Sequence, residues 1–436
     1  MPPMERGEAV TVQRGALRLR VGAWLLPLEV AVRYPAFRVL WLSLLPGTLG
    51  MMMSMVAFGY VAYQLSGSST TLAIVNAGWG VPMFVLSPVA GVVADRYARR
   101  NVLLMTQGLV GLTAAVAALL IITDAIQVWH LMLITVVQGT AFAFNIPARQ
   151  ALIAELVGAD DLAGALALYN AGLNLNRVAG PAIGGALLTI PAVGAGGVFA
   201  VMAALYLVVL LTLRRLPPAP VRRADRMPAR ATPVDRLAAG LRYVAQQPHL
   251  RRLMLLAFLP LLFGMPYQSL MPAVAARVFQ VDAAGLGVLL TANGLGALAG
   301  SLLLAGAAAT HRSDRGRAGS PGAVRLSRLQ FGAGLLFGGA LVAFALSGAF
   351  VPALFLVALV GGASAAYTAI NNTLLMNQTP VEYHGRVMGV YMMTFAAMPL
   401  SSLPAAWLAD HVGLPATLAA CGALAALVVA IVGRRE

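Results

Sequence analysis

The sequence contains no lysine: all thirty of its basic residues are arginine. It has a single cysteine, Cys421, and charged residues make up only 10% of the chain, where a soluble protein carries about 25%. Each shortage excludes a class of function. Without lysine there is no G-x-x-x-x-G-K-[ST] phosphate loop, so the chain is not an ATP-driven pump of the ABC type. One cysteine makes no intrachain disulfide, and five scattered histidines supply no ligand set, so neither a metal nor a cofactor is expected. Acids are also scarce, at fifteen, and all lie outside the interiors of the long apolar runs; Asp95, Asp124, Glu155, Asp161 and Asp410 sit only at their edges. With acids and histidines so dispersed, no catalytic carboxylate, Ser/His pair or metal set assembles, which argues against an enzyme.

What the chain does have is apolar length. Hydrophobic residues are 60% of its 436 positions and its mean hydropathy is +0.82, so it is a polytopic membrane protein. A spanning helix needs about 20 mostly apolar residues. Twelve such runs occur, at 39–63, 71–94, 101–123, 127–147, 163–189, 195–213, 253–276, 284–309, 329–348, 351–375, 387–408 and 414–433. The formal charge of +15 does not mark a nucleic-acid face, because the arginines collect in alternate gaps between runs. Those gaps are the N-terminus, the turn at Arg96 to Arg100, Arg149, the segment after the sixth run, Arg312 to Arg328, Arg386, and Arg434 with Arg435. The opposite gaps are nearly bare, with Arg277 the one basic residue near them. Both termini are therefore expected in the cytoplasm, the protein being multi-pass in a cytoplasmic membrane. The arginine-bearing first 35 residues contain one short apolar patch, 21–28, interrupted by Pro27, and read as a cytoplasmic extension and not a secretory signal.

Between the sixth and seventh runs, residues 214–252 carry ten arginines together with Pro217, Pro218, Pro220 and Pro228. The expected organisation is an extension at 1–35, a six-helix bundle at 36–214, a cytoplasmic linker at 215–250 and a second six-helix bundle at 251–436. Leu237, Leu241 and Val244 recur at helical spacing within the linker, so a short interfacial helix is expected over 234–244. The halves echo one another. Asn76-Ala-Gly78-Trp-Gly80 resembles Ala292-Asn293-Gly294-Leu-Gly296 at an offset of 216, and Leu152, Asp160 and Tyr169 match Leu374, Glu382 and Tyr391 at an offset of 222. Two echoes at similar offsets, flanking a linker, point to a duplicated six-plus-six all-α architecture.

The turn after the second run reads Gly91-Val-Val-Ala-Asp95-Arg96-Tyr-Ala-Arg99-Arg100. It matches the G-x-x-x-D-[RK]-x-G-[RK]-[RK] motif of the major facilitator superfamily, which the chain resembles, with Ala98 in place of the second glycine. The resemblance implies twelve helices in two pseudo-symmetric bundles, and a gate latch formed by Gly91, Asp95, Arg96, Arg99 and Arg100 that breaks and remakes as the halves rock. Asp95 at the membrane edge can pair with arginines or cap a facing helix. The fifth run holds Gly180-Pro181-Ala-Ile-Gly184-Gly185, similar to the core of the family's exporter and antiporter motif, with Asn176 where the pattern prefers glycine. Residues 176, 180 and 184 form a small-residue ridge suited to close packing. Several segments, among them Pro147-Ala-Arg149-Gln-Ala and Gly385-Arg386-Val-Met-Gly389, resemble the subgroup of enterobactin and bacterial multidrug exporters.

Arg177 is the one arginine well inside a predicted span, where insertion costs about 2.5–3.5 kcal/mol, so it should face a cavity or a partner. Asn170, Asn174 and Arg177 share a helical face. Gln138, Asn145, Gln268, Asn293, Asn371 and Asn372 are further candidates for a substrate cavity, though each taken alone is more often a helix–helix hydrogen bond than a ligand. Methionines at 51, 52, 53, 55, 388, 392 and 393 either line an adaptable apolar cavity or pack against helices and lipid. The family's R-x-x-Q-G arginine is absent, Thr135 standing in its place, and no buried carboxylate marks a proton path. A lone buried arginine without a buried acid suits an anionic or neutral substrate. The expected activity is proton-driven export of a small amphipathic molecule, a drug or siderophore, by alternating access, with the protein acting as a monomer. The alternative is an importer or facilitator of a small metabolite.

Overall fold

The computed structural model describes residues 26–158, 161–217, 233–309, 321–380 and 383–433. The first 25 residues of the N-terminal extension, linker positions 218–232, Arg312, Arg315, Arg317, Glu382, Arg434 and Arg435 lie outside the described residues. The described chain is a succession of helices: α1 (Leu26–Arg33), α2 (Pro35–Ser66), α3 (Ser69–Arg96), α4 (Arg99–Ile122), α5 (Val128–Leu156), α6 (Leu162–Leu188) and α7 (Gly194–Arg214) in the first half. After α8 (Pro233–Gln246), the second half comprises α9 (Pro248–Gly264), α10 (Pro266–Ala273), α11 (Ala283–Ala309), α12 (Pro321–Leu346), α13 (Phe350–Gln378), α14 (His384–Val412) and α15 (Leu414–Gly433). Ten segments are apolar and long enough to cross a membrane, α9 and α10 counting as one; α6 and α14, of 27 and 29 residues, complete the twelve. Helices such as α2, α3, α13 and α14 extend a few residues past both ends of their apolar runs, because polar first and last turns add hydrogen bonds without entering the hydrocarbon.

Short turns set adjacent helices antiparallel. Between α2 and α3 only Gly67 and Ser68 intervene; Gly67 takes φ +62°, open to glycine at no steric cost, while the Ser68 hydroxyl caps α3 by accepting from the Thr71 amide. We call the end that holds this turn the far end, and the opposite one, where α2 begins and α15 finishes, the termini end. The seventh span differs from its expected continuous run. It breaks at Gly264–Pro266 and finishes as a π turn over Val274–Val278, because Pro266 and Pro272 lack amide hydrogens and interrupt the hydrogen-bond ladder.

The two halves repeat the same packing. In the first, a Cβ on Gly139 of α5 would fall on the Trp79 carbonyl of α3; in the second, a Cβ on Gly361 of α13 would fall on the Asn293 carbonyl of α11. Gly139 and Gly361 are 222 positions apart, the offset of the second sequence echo. Across the halves, α3 packs along α14 and α6 along α11. The α11–α13 contact is tightest at Gly296, whose Cβ would overlap the Ala358 carbonyl oxygen. Gly296→Ala is therefore expected to destabilise the protein by roughly 1–3 kcal/mol, seen as a lower melting temperature in detergent. Gly339→Ala, with nothing within 4 Å of the added carbon, is the matched control and should melt no lower than the parent.

Candidate functional site

The polar residues expected of a cavity divide into two groups once the helices are in place. On α6, Asn170 and Arg177 are exposed and Asn174 is half-buried, so the stripe faces open space along one side of the helix. At Arg177 the helix meets the other half: a Cβ on Gly294 of α11 would stand 2.8 Å from the Arg177 carbonyl oxygen. The Arg177 side chain lies within Coulombic reach of the Tyr267 hydroxyl on α10. That hydroxyl, on a tyrosine with 0% exposure, accepts a hydrogen bond from Asn293 Nδ2 at 2.8 Å and one from Gln268 Nε2 at 3.3 Å. Asn293 Nδ2 also donates to the Val357 carbonyl at 3.2 Å, tying α13 to the cluster. Gln268 and Asn293 thus meet at Tyr267 within the second half, and Arg177 of the first half, 91 positions before Gln268, acts on the same hydroxyl electrostatically. The sequence reading missed Tyr267; its only signal was a tyrosine beside Gln268 in mid-span, between prolines.

Gln138 and Asn145 lie in the other group. Gln138 Nε2 donates to Thr113 at 3.2 Å and Asn145 Nδ2 to Thr106 at 3.1 Å, both buried between α4 and α5. Asn371 is buried and accepts from Gln330 of α12, and the Asn372 side-chain oxygen is buried without a hydrogen-bond partner. Gln138, Asn145 and Asn371 thus bond within their own halves.

Towards the far end, the exporter-like segment makes contacts on two faces. Gly180 and Gly184 press against Met52 and Met53 of α2, while a Cβ on Gly185 would lie 2.7 Å from the Gly287 Cα of α11. Pro181 is buried and its carbonyl lies 2.9 Å from where a Cβ on Gly287 would stand. Asn176 keeps the ridge by bonding: its Nδ2 donates to the Leu45 carbonyl at 2.9 Å and to the Thr48 hydroxyl of α2. A cavity of 360 Å³ opens beyond, walled by Tyr60, Tyr63 and Gln64 from the first half and Pro272, Asp282 and Leu286 from the second.

A family model described as transmembrane secretion effector, of the major facilitator superfamily, matches residues 27–435. The chain belongs to this family. It is 29% identical over 370 residues to the enterobactin exporters of Shigella dysenteriae serotype 1 and Escherichia coli O6:K15:H31, spanning 85% of this chain and 84% of each relative. Among solved structures, a bacterial homologue of the human lysosomal transporter Spinster, inward-facing and unoccupied, superposes with TM-score 0.69 at 17% identity, covering 92% of this chain and 97% of that one. A POT family transporter in complex with a thioalcohol-conjugated peptide gives TM-score 0.71 at 12% identity, covering 91% and 94%. These structures share the fold. The protein is therefore a multi-pass membrane transporter of the superfamily, with twelve spanning helices, and not an enzyme.

In this transporter the family turn after α3 is only partly open to description, because the side chains of Gly91, Asp95 and Arg96 lie outside the described residues. The other two residues act within the first half. Arg99 pairs with Glu155 and donates to the Ala151 carbonyl at 3.2 Å, holding the end of α5. Arg100 donates through Nη2 to the Arg214 carbonyl at 2.8 Å and through Nε to Leu213 at 3.4 Å, satisfying the C-terminal carbonyls of α7. Arg252 serves α15 in the same way, with 2.8 Å bonds to the Val432 and Gly433 carbonyls.

Arg149 requires a correction. The reading put it in a gap beyond the fourth span; α5 instead runs through Pro147 to Leu156 and buries Arg149 to 2% exposure. Its Nη1 donates to Ser43 at 3.3 Å and to the Leu40 carbonyl at 3.4 Å, so it fastens α5 to α2. Arg177 is accordingly not the only arginine inside a span.

Proposed function

We propose that this transporter exports a small amphipathic molecule that is anionic or neutral, a siderophore or drug, by alternating access driven by the proton gradient. The observation that carries the reading is the Arg177–Tyr267–Gln268–Asn293 cluster, which joins both halves in mid-span. Among the described residues no carboxylate takes part in it, and an arginine in mid-span without an acid beside it attracts anions. The relatives named as enterobactin exporters support the direction and the class of cargo. We further propose the division at 36–214 and 251–436, with the intervening segment and both termini in the cytoplasm of a bacterium, and a monomeric unit. The linker carries the helix α8, packed on α14 and α3, with Tyr243 stacked on Tyr383 at 3.9 Å between ring centres.

Enterobactin uptake into inside-out membrane vesicles measures the claim. Imposing an acidic interior is expected to raise uptake, and a protonophore to abolish the increase. Uptake confined to right-side-out vesicles would make the protein an importer. Uptake indifferent to the gradient would remove proton coupling.

A further inference from the structure

Among the described residues the far end carries three aspartates, Asp124, Asp282 and Asp410, against a single arginine, Arg277. Two of these four are spent on each other. Arg277 lies 3.6 Å from Asp410 Oδ1 and donates to the Gly67 carbonyl, while Asp410 takes the Ser69 and Thr70 amides of α3 at 2.9 Å each. Asp282 differs. It is exposed just ahead of α11, its Oδ1 accepts from the Gly285 amide at 3.0 Å, and its other oxygen takes no hydrogen bond from any described residue. That carboxylate lies on the wall of the 360 Å³ cavity between the halves, a volume within the range of small-molecule pockets, about 300–1,000 Å³. The facing wall is aromatic. Tyr60 and Tyr63 of α2 are three positions apart and share a helical face, and Gln64 Nε2 donates to the Tyr60 hydroxyl, which fixes that ring. The Tyr63 ring already draws a cation, for the Arg277 guanidinium carbon stands 5.5 Å from its centre. Pro272 and Leu286 add to a mostly apolar lining.

Aromatic faces, apolar walls and one uncommitted carboxylate suit an ammonium ion that carries hydrocarbon: the ring quadrupoles and the carboxylate attract its charge, and the apolar wall takes the rest. An anion would meet Asp282 and an arginine already engaged. The Arg177 cluster has the reverse chemistry, and it is a different place. Leu286, on the cavity wall, precedes Gly294, which abuts Arg177, by eight positions, about 12 Å along α11. We propose that the cavity is a far-side binding site for an aromatic ammonium ion, separate from the cargo site, and that its occupant, touching walls from both halves, holds the far end shut. The second part of this proposal rests on the alternating-access reading.

Titration calorimetry of the full chain in lipid nanodiscs with benzyltrimethylammonium, corrected for empty nanodiscs, tests the site, and saturable binding is expected. Asp282→Asn should weaken it roughly tenfold, the worth of one partly exposed charge pair. Asparagine caps a helix about as well as aspartate, so this variant removes the charge and leaves α11 capped. Tyr60→Leu should weaken binding by about three- to tenfold through the lost cation–π contact. Arg177→Ala should bind as the parent does, and benzenesulfonate, an aromatic of opposite charge, at least roughly tenfold more weakly. Added outside cells, benzyltrimethylammonium should lower export by the parent and leave export by Asp282→Asn unchanged. The site is overturned by a parent that shows no saturable binding, by equal affinities in parent and Asp282→Asn, or by a larger change in Arg177→Ala than in Asp282→Asn, which would put the ion in the cargo site. Binding in the expected pattern with export unaffected keeps the site and overturns its hold on the far end. A parent that exports nothing under any gradient refutes the export reading and not the site, because calorimetry needs no transport.

Discussion

Arg177→Ala is expected to weaken binding of an anionic cargo by roughly ten- to a hundredfold, while a neutral cargo of equal size loses little. The size of the effect follows from a charge-assisted hydrogen bond, worth about 1.5–3 kcal/mol, with about 1.4 kcal/mol per factor of ten. Arg177 is exposed and within electrostatic reach of Tyr267, and is not consumed by a carbonyl or carboxylate as Arg100 and Arg252 are, so its donors are available to a cargo. Removing it also removes an insertion cost, and expression should not fall. Arg177→Lys keeps the charge without the planar fork and should lie between the two. The measurement is cargo affinity and export rate for an anionic and a neutral compound side by side. Equal affinities in parent and alanine variant, for both compounds, would end the cargo-contact role.

Gly185→Val is expected to lower export at least roughly tenfold while each half stays folded. Gly185 faces the backbone of the other half, with Gly287 Cα 2.7 Å and the Ala283 carbonyl 3.2 Å from the position of an added Cβ. Backbone cannot swing aside like a flexible side chain, so α6 and α11 must separate near the far end. A separation there penalises only the state in which the far end is shut. Gly180→Val offers the contrast: its obstacle is Met52 of α2, inside the same half, and the loss should appear in melting temperature. Normal export by Gly185→Val at parental expression would show that the close approach is dispensable.

Much of the architecture was legible from composition alone. Spacing of apolar runs places all twelve spans, and the echo at an offset of 222 anticipates the matching Gly139 and Gly361 crossings. Errors arose where one residue type has two uses. Pro147 followed by Arg149 read as a helix end, yet Leu152 and Ile153 bury beyond them and keep α5 intact to Leu156. The seventh span is apolar enough on average to read as one run, so its hydropathy does not announce the break at Gly264–Pro266 or the π turn. Asp410, read only as an edge acid, turned out to cap a helix of the other half.

The sequence by itself determined that the protein lives in a membrane, how many times it crosses, and to which superfamily it belongs, because these follow from apolar length, charge placement and short contiguous motifs. Only the tertiary structure decided which polar side chains meet. Gln138 and Asn145 are spent on their neighbours within one half, while Gln268 and Asn293 gather with Arg177 around Tyr267 across two. The reason is physical: in a bilayer, an amide that ties helices together and one that faces a cavity have the same composition and spacing. What separates them is the rotation of each helix against partners hundreds of residues away, and no local pattern encodes it.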